Sequence, residues 1–290
     1  MHNIIISLTT ISSRLEYIHL VLETLIAQEF YRGRFEVRLH ISKDPHLLDE
    51  GCPNLPLQLL ELQKKHPDKL AINYVKNSGP YRKILPVLDE IYQYGTAHFL
   101  NQLIVTADDD TAYPSWWLSK LYDYYLQHQC VVGFRGRAIG FIDKRPLSYK
   151  KWTKNIKENP SPLNVPTGKD GVLYSPMHLH PHVRRLAAAT LYAPKADDLW
   201  LKVHSLMVGV PSVIINPSLE EEFPSVTGSE PVVSLYRSFN QRGGNDDAVQ
   251  SLEKYLKISR GSSIWKMCNQ EENTNGVSRQ DVYESVKASA

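Results

Sequence analysis

Asp108, Asp109 and Asp110 follow the apolar run Leu103-Ile104-Val105-Thr106-Ala107 without a spacer, and Tyr113-Pro114 closes the segment. The pattern is that of a buried strand delivering three carboxylates to its end. Carboxylates held close together repel one another, so the arrangement makes best chemical sense around a hard divalent cation, Mg²⁺ or Mn²⁺. Magnesium is usually held by one or two carboxylates while substrate phosphates complete its octahedron, which points to a phosphorylated ligand. The plainer reading is an Asp-rich turn capping the next helix, since Asp favours turns and N-caps. The strand in front of the acids brings the metal reading level with the turn reading, and open α/β sheets bind ligands outside the carboxyl ends of their strands.

The rest of the chain supplies such a sheet. Ile4 to Leu8 is a short apolar strand, and Ile18, Val21, Leu22, Leu25 and Ile26 recur at helical spacing behind it. Phe35 to Ile41 alternates as a strand does until Pro45, a leucine-rich helix surrounds Leu57 to Lys65, and Ala71 to Val75 reads as a third strand. A turn at Asn77-Ser78-Gly79-Pro80, a helix from Ile84 to Tyr94 and the strand Leu103 to Ala107 complete an alternating half. Alternation of this kind predicts an α/β fold with a mostly parallel sheet and helices on both faces. Further on, Cys130 to Phe134 and Gly136 to Ile142 read as strands, 149–170 as loop, Pro194 to Val208 and Asp246 to Leu256 as helices, and Val213 to Ile215 as a short strand. The tail from Asn269 is polar and lacks periodicity.

Composition excludes some classes. With 33 basic and 31 acidic residues the formal charge is +2, too balanced for a nucleic-acid protein with a strong field, so any anion site must be local. Cys52, Cys130 and Cys268 are odd in number and in no metal-ligand spacing, and read as free thiols in a reducing compartment. The start of the chain lacks a basic n-region and no run of about 18 apolar residues occurs, so a cytoplasmic protein is expected. Basic and aromatic residues between Lys144 and Lys157, with Trp152, are compatible with peripheral membrane contact.

Taken together, Thr9-Thr10 to Arg14, Asn77-Ser78-Gly79-Pro80-Tyr81-Arg82-Lys83, Thr106 to Tyr113, the run from Thr167 through Gly168-Lys169-Asp170-Gly171 to Tyr174, and Ala196-Asp197-Asp198-Leu199-Trp200 resemble GT-A-fold glycosyltransferases. The likeness is to bacterial capsule and lipopolysaccharide (O-antigen) sugar transferases in particular. It runs from Ile4 to about Leu256; the DxD acids and the Gly-x-x-Gly-Val-Leu-Tyr segment followed by Ala-Asp-Asp-Leu-Trp are its specific parts. The resemblance implies a GT-A, Rossmann-like central sheet with residues 1–115 as the nucleotide-sugar-binding half. Residues 116–268 would be the acceptor-side half of the same domain, with a smaller mixed region, and 269–290 a mobile tail. It implies a hexosyl transfer from a nucleotide sugar, UDP-galactose being the first guess, with Mn²⁺ or Mg²⁺ held by the DxD acids. The acceptor would be a glycan in bacterial surface polysaccharide, free or lipid-linked, reached at the inner face of the membrane.

Within that resemblance each residue has a role and a plainer alternative. Asp110 and Asp108 would hold the metal, Asp108 nearest the ribose, with Asp109 assisting or aiming away because one strand end cannot aim three side chains identically. Arg14 can fork onto diphosphate oxygens, with Thr9 and Thr10 reaching base or ribose; otherwise Arg14 is an exposed helix-start cation. Arg82 and Lys83 follow a turn beside the nucleotide cleft, the alternative being a solvated helix start, where cations are disfavoured. Gly168 and Gly171 would wall the transferred sugar, or form an ordinary hairpin turn. Asp197 and Asp198 are either helix N-caps or the general base, with Asp198 the first choice and the inverting or retaining outcome left open. His178, His180 and His182 share two-residue spacing, yet Pro176 and Pro181 break a strand and nothing completes a zinc set, so a loop is expected. His204 is a poor match to a third metal ligand; Asn245-Asp246-Asp247 is an N-cap or a late polar set; Trp116-Trp117 reads as packing. Two other classes compete: metal-dependent phosphohydrolase or nucleotidyl transfer, which predicts further acids on other strand ends, and a non-catalytic nucleotide-sugar or glycan-binding module.

Overall fold

The computed structural model describes residues 2–215, 223–226, 238–239, 243–269 and 284. Its first half alternates as expected: β1 Asn3–Thr9, α1 Ile18–Ile26, β2 Arg34–Ile41, α2 Leu57–Lys65, β3 Leu70–Tyr74, α3 Leu85–Tyr94, α4 Thr96–Asn101 and β4 Gln102–Thr106. There follow α5 Trp117–His128, β5 Val131–Gly133, β6 Gly136–Ala138, β7 Phe141–Ile142, β8 Arg145–Pro146, β9 Asn164–Pro166 and β10 Val172–Tyr174. The last elements are α6 Leu186–Tyr192, α7 Asp197–Leu206, β11 Ser212–Ile214, α8 Gly244–Arg260 and α9 Ile264–Asn269.

One seven-stranded sheet, ordered β11-β5-β10-β4-β1-β2-β3, runs through both halves of the chain. Every pairing within it is parallel except those of β10, which lies antiparallel between β4 and β5. All five residues of β4 are buried, as are Ile4, Ile5, Ile6 and Leu8 of β1. Continuous apolar runs of this kind are what central parallel strands covered on both faces require. Truncating Leu103 to Ala would cost about 2–5 kcal/mol.

Two features of the topology place the site. From β1 the chain steps outward through β2 to β3 and then returns to lay β4 on the other side of β1. The carboxyl ends of β1 and β4 therefore flank a topological switch point, the crevice where such sheets bind ligands. Because β10 runs the opposite way, with Val172 paired to Thr106, its leading turn, 168–171, arrives at that same edge.

Some elements differ from the sequence reading. The strand expected over Gly136 to Ile142 is broken at Ile139-Gly140 into β6, which pairs with β9, and a β7–β8 hairpin whose turn residues Asp143 and Lys144 both have positive φ. The histidine row is two short 3₁₀ turns rather than a strand, with Ser175 capping the first, so the loop reading stands. Helix α4 had no periodic signal. The three cysteines are free and buried. Of the expected tail, 270–283 and 285–290 lie outside the described residues. Among the described residues no helix is long and apolar enough to cross a membrane.

Candidate active site

At the end of β4 the chain turns sharply, held by the Asp108 backbone N–H donating to the Tyr113 hydroxyl at 2.7 Å. On the far side of the turn, Val226 N–H donates to the Asp110 carbonyl at 3.0 Å. The three carboxylates diverge. Asp109 points back into the protein, where it accepts from Thr10 Oγ1 at 2.7 Å and pairs with the Arg14 guanidinium. Asp108 and Asp110 keep about a quarter of their side-chain surface open (29% and 26%) towards the cleft, and Arg14 reaches Asp110 at 3.2 Å. Burial, then the neighbouring charges of Asp108 and Asp109, push the Asp110 carboxyl up to about 6. A carboxylate raised by its own neighbours gains from a cation placed among them.

The second acid pair opens α7. Its N-cap is Ala196, so Asp197 and Asp198 are not caps as the plainer reading had it; they occupy the first turn, where the helix dipole favours negative charge. Asp197 is buried and pairs with Lys83 Nζ at 3.1 Å. Asp198 lines the cleft and accepts from the Gly168 backbone N–H at 2.9 Å. Burial, then Asp197, push the Asp198 carboxyl up to about 7. Lys83 stands between the two acid pairs, 3.6 Å from Asp108. Burial works to lower its pKa, but Asp197, Asp108 and Asp198 outweigh it and hold the ammonium well above its ordinary range. The turn carrying Lys83 is tied to the approach to α7 by the Tyr81 hydroxyl, which donates to the Ala193 carbonyl at 2.6 Å.

Gly168 is where these groups meet. A Cβ there would lie 2.7 Å from Lys83 Nζ, 3.2 Å from Asp198 and 3.6 Å from Asp108, so a side chain would push the lysine aside and crowd Asp198 while only touching Asp108. Gly171 has a different task from the one expected: it does not line the cleft, and with φ of +96° its Cα packs against the Trp117 indole, where a Cβ would sit 2.3 Å from the ring. The buried Trp117 donates to the Asp170 carbonyl at 2.7 Å, which accounts for its place at the start of α5.

Thr9, Thr10, Arg14, Arg82, Lys83, the three acids of 108–110, Gly168, Asp197 and Asp198 thus line one cleft of about 690 Å³. Besides Asp109 and Asp197, two of them are committed to protein partners. Thr9 donates to the His40 carbonyl at 2.7 Å. Arg82, 1% exposed, is neither a solvated helix start nor an open ligand: it pairs with buried Asp49 at 2.8 Å and donates to the Thr10 carbonyl at 3.1 Å. Asp49 carries no sequence signal, because nothing near it is periodic; it also accepts from the backbone of Ser12 and Gly51, both at 3.0 Å, locking the loop after β2 to the end of β1. Of the late polar set, Asn245 lines the cleft while Asp246 accepts from the Tyr149 N–H at 2.6 Å. His204 is fully buried, bonded to the Trp200 carbonyl, and away from the acids.

Among the described residues no three His, Cys, Asp or Glu side chains converge as a complete metal cage. The donor set is instead two open carboxylates, which suits an oxygen-seeking cation that takes its remaining ligands from phosphate and water.

This chain is similar to the mannosyltransferase PcManGT from Pyrobaculum calidifontis, solved with GDP-Man and Mn²⁺: TM-score 0.54 at 15% identity, over 99% of this chain and 72% of that one. The two share a fold. The GT-A-type α/β architecture expected from the sequence is therefore the one found. Residues 1–349 of TarS from S. aureus superpose less well, with a TM-score of 0.46 at 16% identity over 90% of this chain and 74% of that one. No protein-family model matches the sequence, and no curated protein does.

Proposed function

We propose that the chain is a metal-dependent glycosyltransferase that moves a hexosyl group from a nucleotide sugar to a glycan hydroxyl. The observation that carries this reading is the convergence of two acid pairs, from the end of β4 and the start of α7, on one cleft at the switch point of the sheet. The fold shared with a mannosyltransferase solved with a nucleotide sugar and Mn²⁺ agrees with it.

Asp108 and Asp110 would hold Mn²⁺ or Mg²⁺, and the ion would supply positive charge to stabilise the diphosphate leaving group. Arg14 beside Asp110 and Lys83 beside Asp108 add positive charge where that anion forms. Asp109 takes no part in binding the ion; it fixes Arg14. Asp198 is the general base of an inverting transfer, with a carboxyl near 7 that suits proton transfer at neutral pH. The acceptor oxygen attacks the anomeric carbon, its proton passes to Asp198, and the bond to phosphate breaks with its electron pair leaving on the diphosphate. Asp197 positions Lys83 and, by its charge, raises Asp198.

UDP-galactose is the first donor to test and bacterial surface polysaccharide the first acceptor class, met at the inner face of the membrane. The assay is release of nucleoside diphosphate from UDP-sugars and GDP-mannose with Mn²⁺, with and without chelator and glycan acceptors. Acceptor-stimulated release that the chelator abolishes is the expected result. Absence of release from every donor, together with absence of metal-dependent nucleotide binding, overturns the reading.

A further inference from the structure

Charge is unevenly distributed around the cleft. At the donor end every lining cation is matched by an acid: Arg14 by Asp109 and Asp110, Arg82 by Asp49, Lys83 by Asp197 and Asp108. Beyond β4 the wall changes. Arg137, Lys154 and Lys169 line the cleft, and none of the three forms an ion pair with an acid among the described residues. Arg137 is aimed by its surroundings: Nη1 donates to the Trp152 carbonyl at 3.2 Å and the guanidinium lies over the Tyr149 ring at 5.1 Å. Trp152, buried itself, is fixed by its indole N–H on the Leu147 carbonyl at 2.9 Å. Lys169 follows Gly168, whose N–H holds Asp198, so an exposed positive charge stands next to the proposed base.

From the cleft the charge continues outward. Residues 144–157 carry six Lys or Arg and no acid, in a chain whose net charge is only +2. All six are exposed. The segment is anchored by the β7–β8 hairpin, by Asp246 on the Tyr149 N–H and by the Ala138–Thr153 bridge, so the cations are held on a built surface. Asp143 and Glu158 flank this row and Asp246 touches it, so six cations against three acids leave a local positive excess that attracts and orients a ligand of opposite sign.

We propose that the acceptor is a polyanionic chain, a glycan or polyol carrying repeated phosphate or carboxylate groups. Resting on the glycosyl-transfer reading, the proposal assigns Lys169 and Arg137 to the charge nearest the attacked hydroxyl, with Lys154 and the outer cations following the chain away from the cleft.

The test measures binding of three labelled oligomers of matched length, a poly(glycerol phosphate), an oligogalacturonate and a neutral dextran, at low and physiological salt. Vesicles of phosphatidylcholine with phosphatidylserine form a fourth arm. The proteins are wild type, the triple variant Arg137→Ala/Lys154→Ala/Lys169→Ala and the exposed single variant Lys154→Glu, each checked by thermal melting and by Mn²⁺-dependent UDP and GDP binding. The expected result is anionic oligomers binding about tenfold or more tighter than dextran, weakened by salt, with the advantage lost in the triple variant and reduced in Lys154→Glu while nucleotide binding persists. Equal binding of dextran, an advantage that survives the substitutions, loss of nucleotide binding in the variants, or binding of the vesicles alone each overturns the proposal. Wild type that binds anionic oligomers but neither UDP nor GDP with Mn²⁺ would instead break the glycosyl-transfer reading.

Discussion

The acids at the end of β4 and those at the start of α7 share one cleft, yet their neighbours set them to opposite uses. In each group one carboxylate is spent on a protein cation: Asp109 on Arg14, Asp197 on Lys83. What remains differs. At β4 two partly open carboxylates are left side by side, and under the proposed function a divalent cation would relieve their repulsion. At α7 the carboxylate left over is Asp198, half-buried beside the negative charge of Asp197, with its pKa pushed up to about 7. In the proposed function, what separates a metal site from a base is the number of partly open carboxylates in each group: two at β4, one at α7.

Substitutions should split the two groups. Asp198→Asn is expected to have the largest effect, lowering kcat by about 10²–10⁴-fold while leaving Mn²⁺-dependent donor binding intact. Asp110→Ala should cost about 2.7–4 kcal/mol of transition-state stabilisation, roughly a hundredfold or more, together with the response to metal. Steady-state kinetics with varied Mn²⁺ checks both. Lys83→Met should cost about tenfold, or 1.4 kcal/mol, and it also tests the coupling. Lys83 lowers the Asp198 pKa, so removing it should move the acid limb of the kcat/KM profile, expected near pH 7 in the wild type with activity falling below it, to higher pH. The smallest effect is on stability. Folding raises the Asp198 pKa, so its stabilising contribution is complete below the unfolded value of about 3.9 and is lost as pH rises through about 7. Asp198→Asn should therefore melt about 2–4 °C above wild type near pH 8 and gain less near pH 5.

The legible parts of the chain were those where periodicity and chemistry coincide. Leu103 to Ala107 is apolar enough to be a central strand, so acids directly after it had to emerge at a sheet edge, and β1 with Thr9 and Thr10 at its end follows the same logic. The Asp197-Asp198 pair was legible as the start of a helix, though its N-cap is Ala196. Asp49 and Arg82 were not legible as a pair, because 32 residues of unrelated pattern lie between them and only the packed loop after β2 brings them to 2.8 Å. Gly168 and Gly171 look alike in sequence, whereas one clears space for Lys83 and Asp198 and the other for Trp117. That distinction depends on what stands opposite each glycine. The antiparallel sense of β10, which brings Gly168 to the cleft, is likewise set by its neighbours, since three apolar residues fit either direction.

The division of labour between the two acid groups is tested most directly by titrating UDP and GDP, with Mn²⁺ present and with it chelated, into wild type, Asp110→Ala and Asp198→Asn. Metal-dependent nucleotide binding is expected to be lost in Asp110→Ala and kept in Asp198→Asn. Loss in both variants, or retention in both, would contradict it.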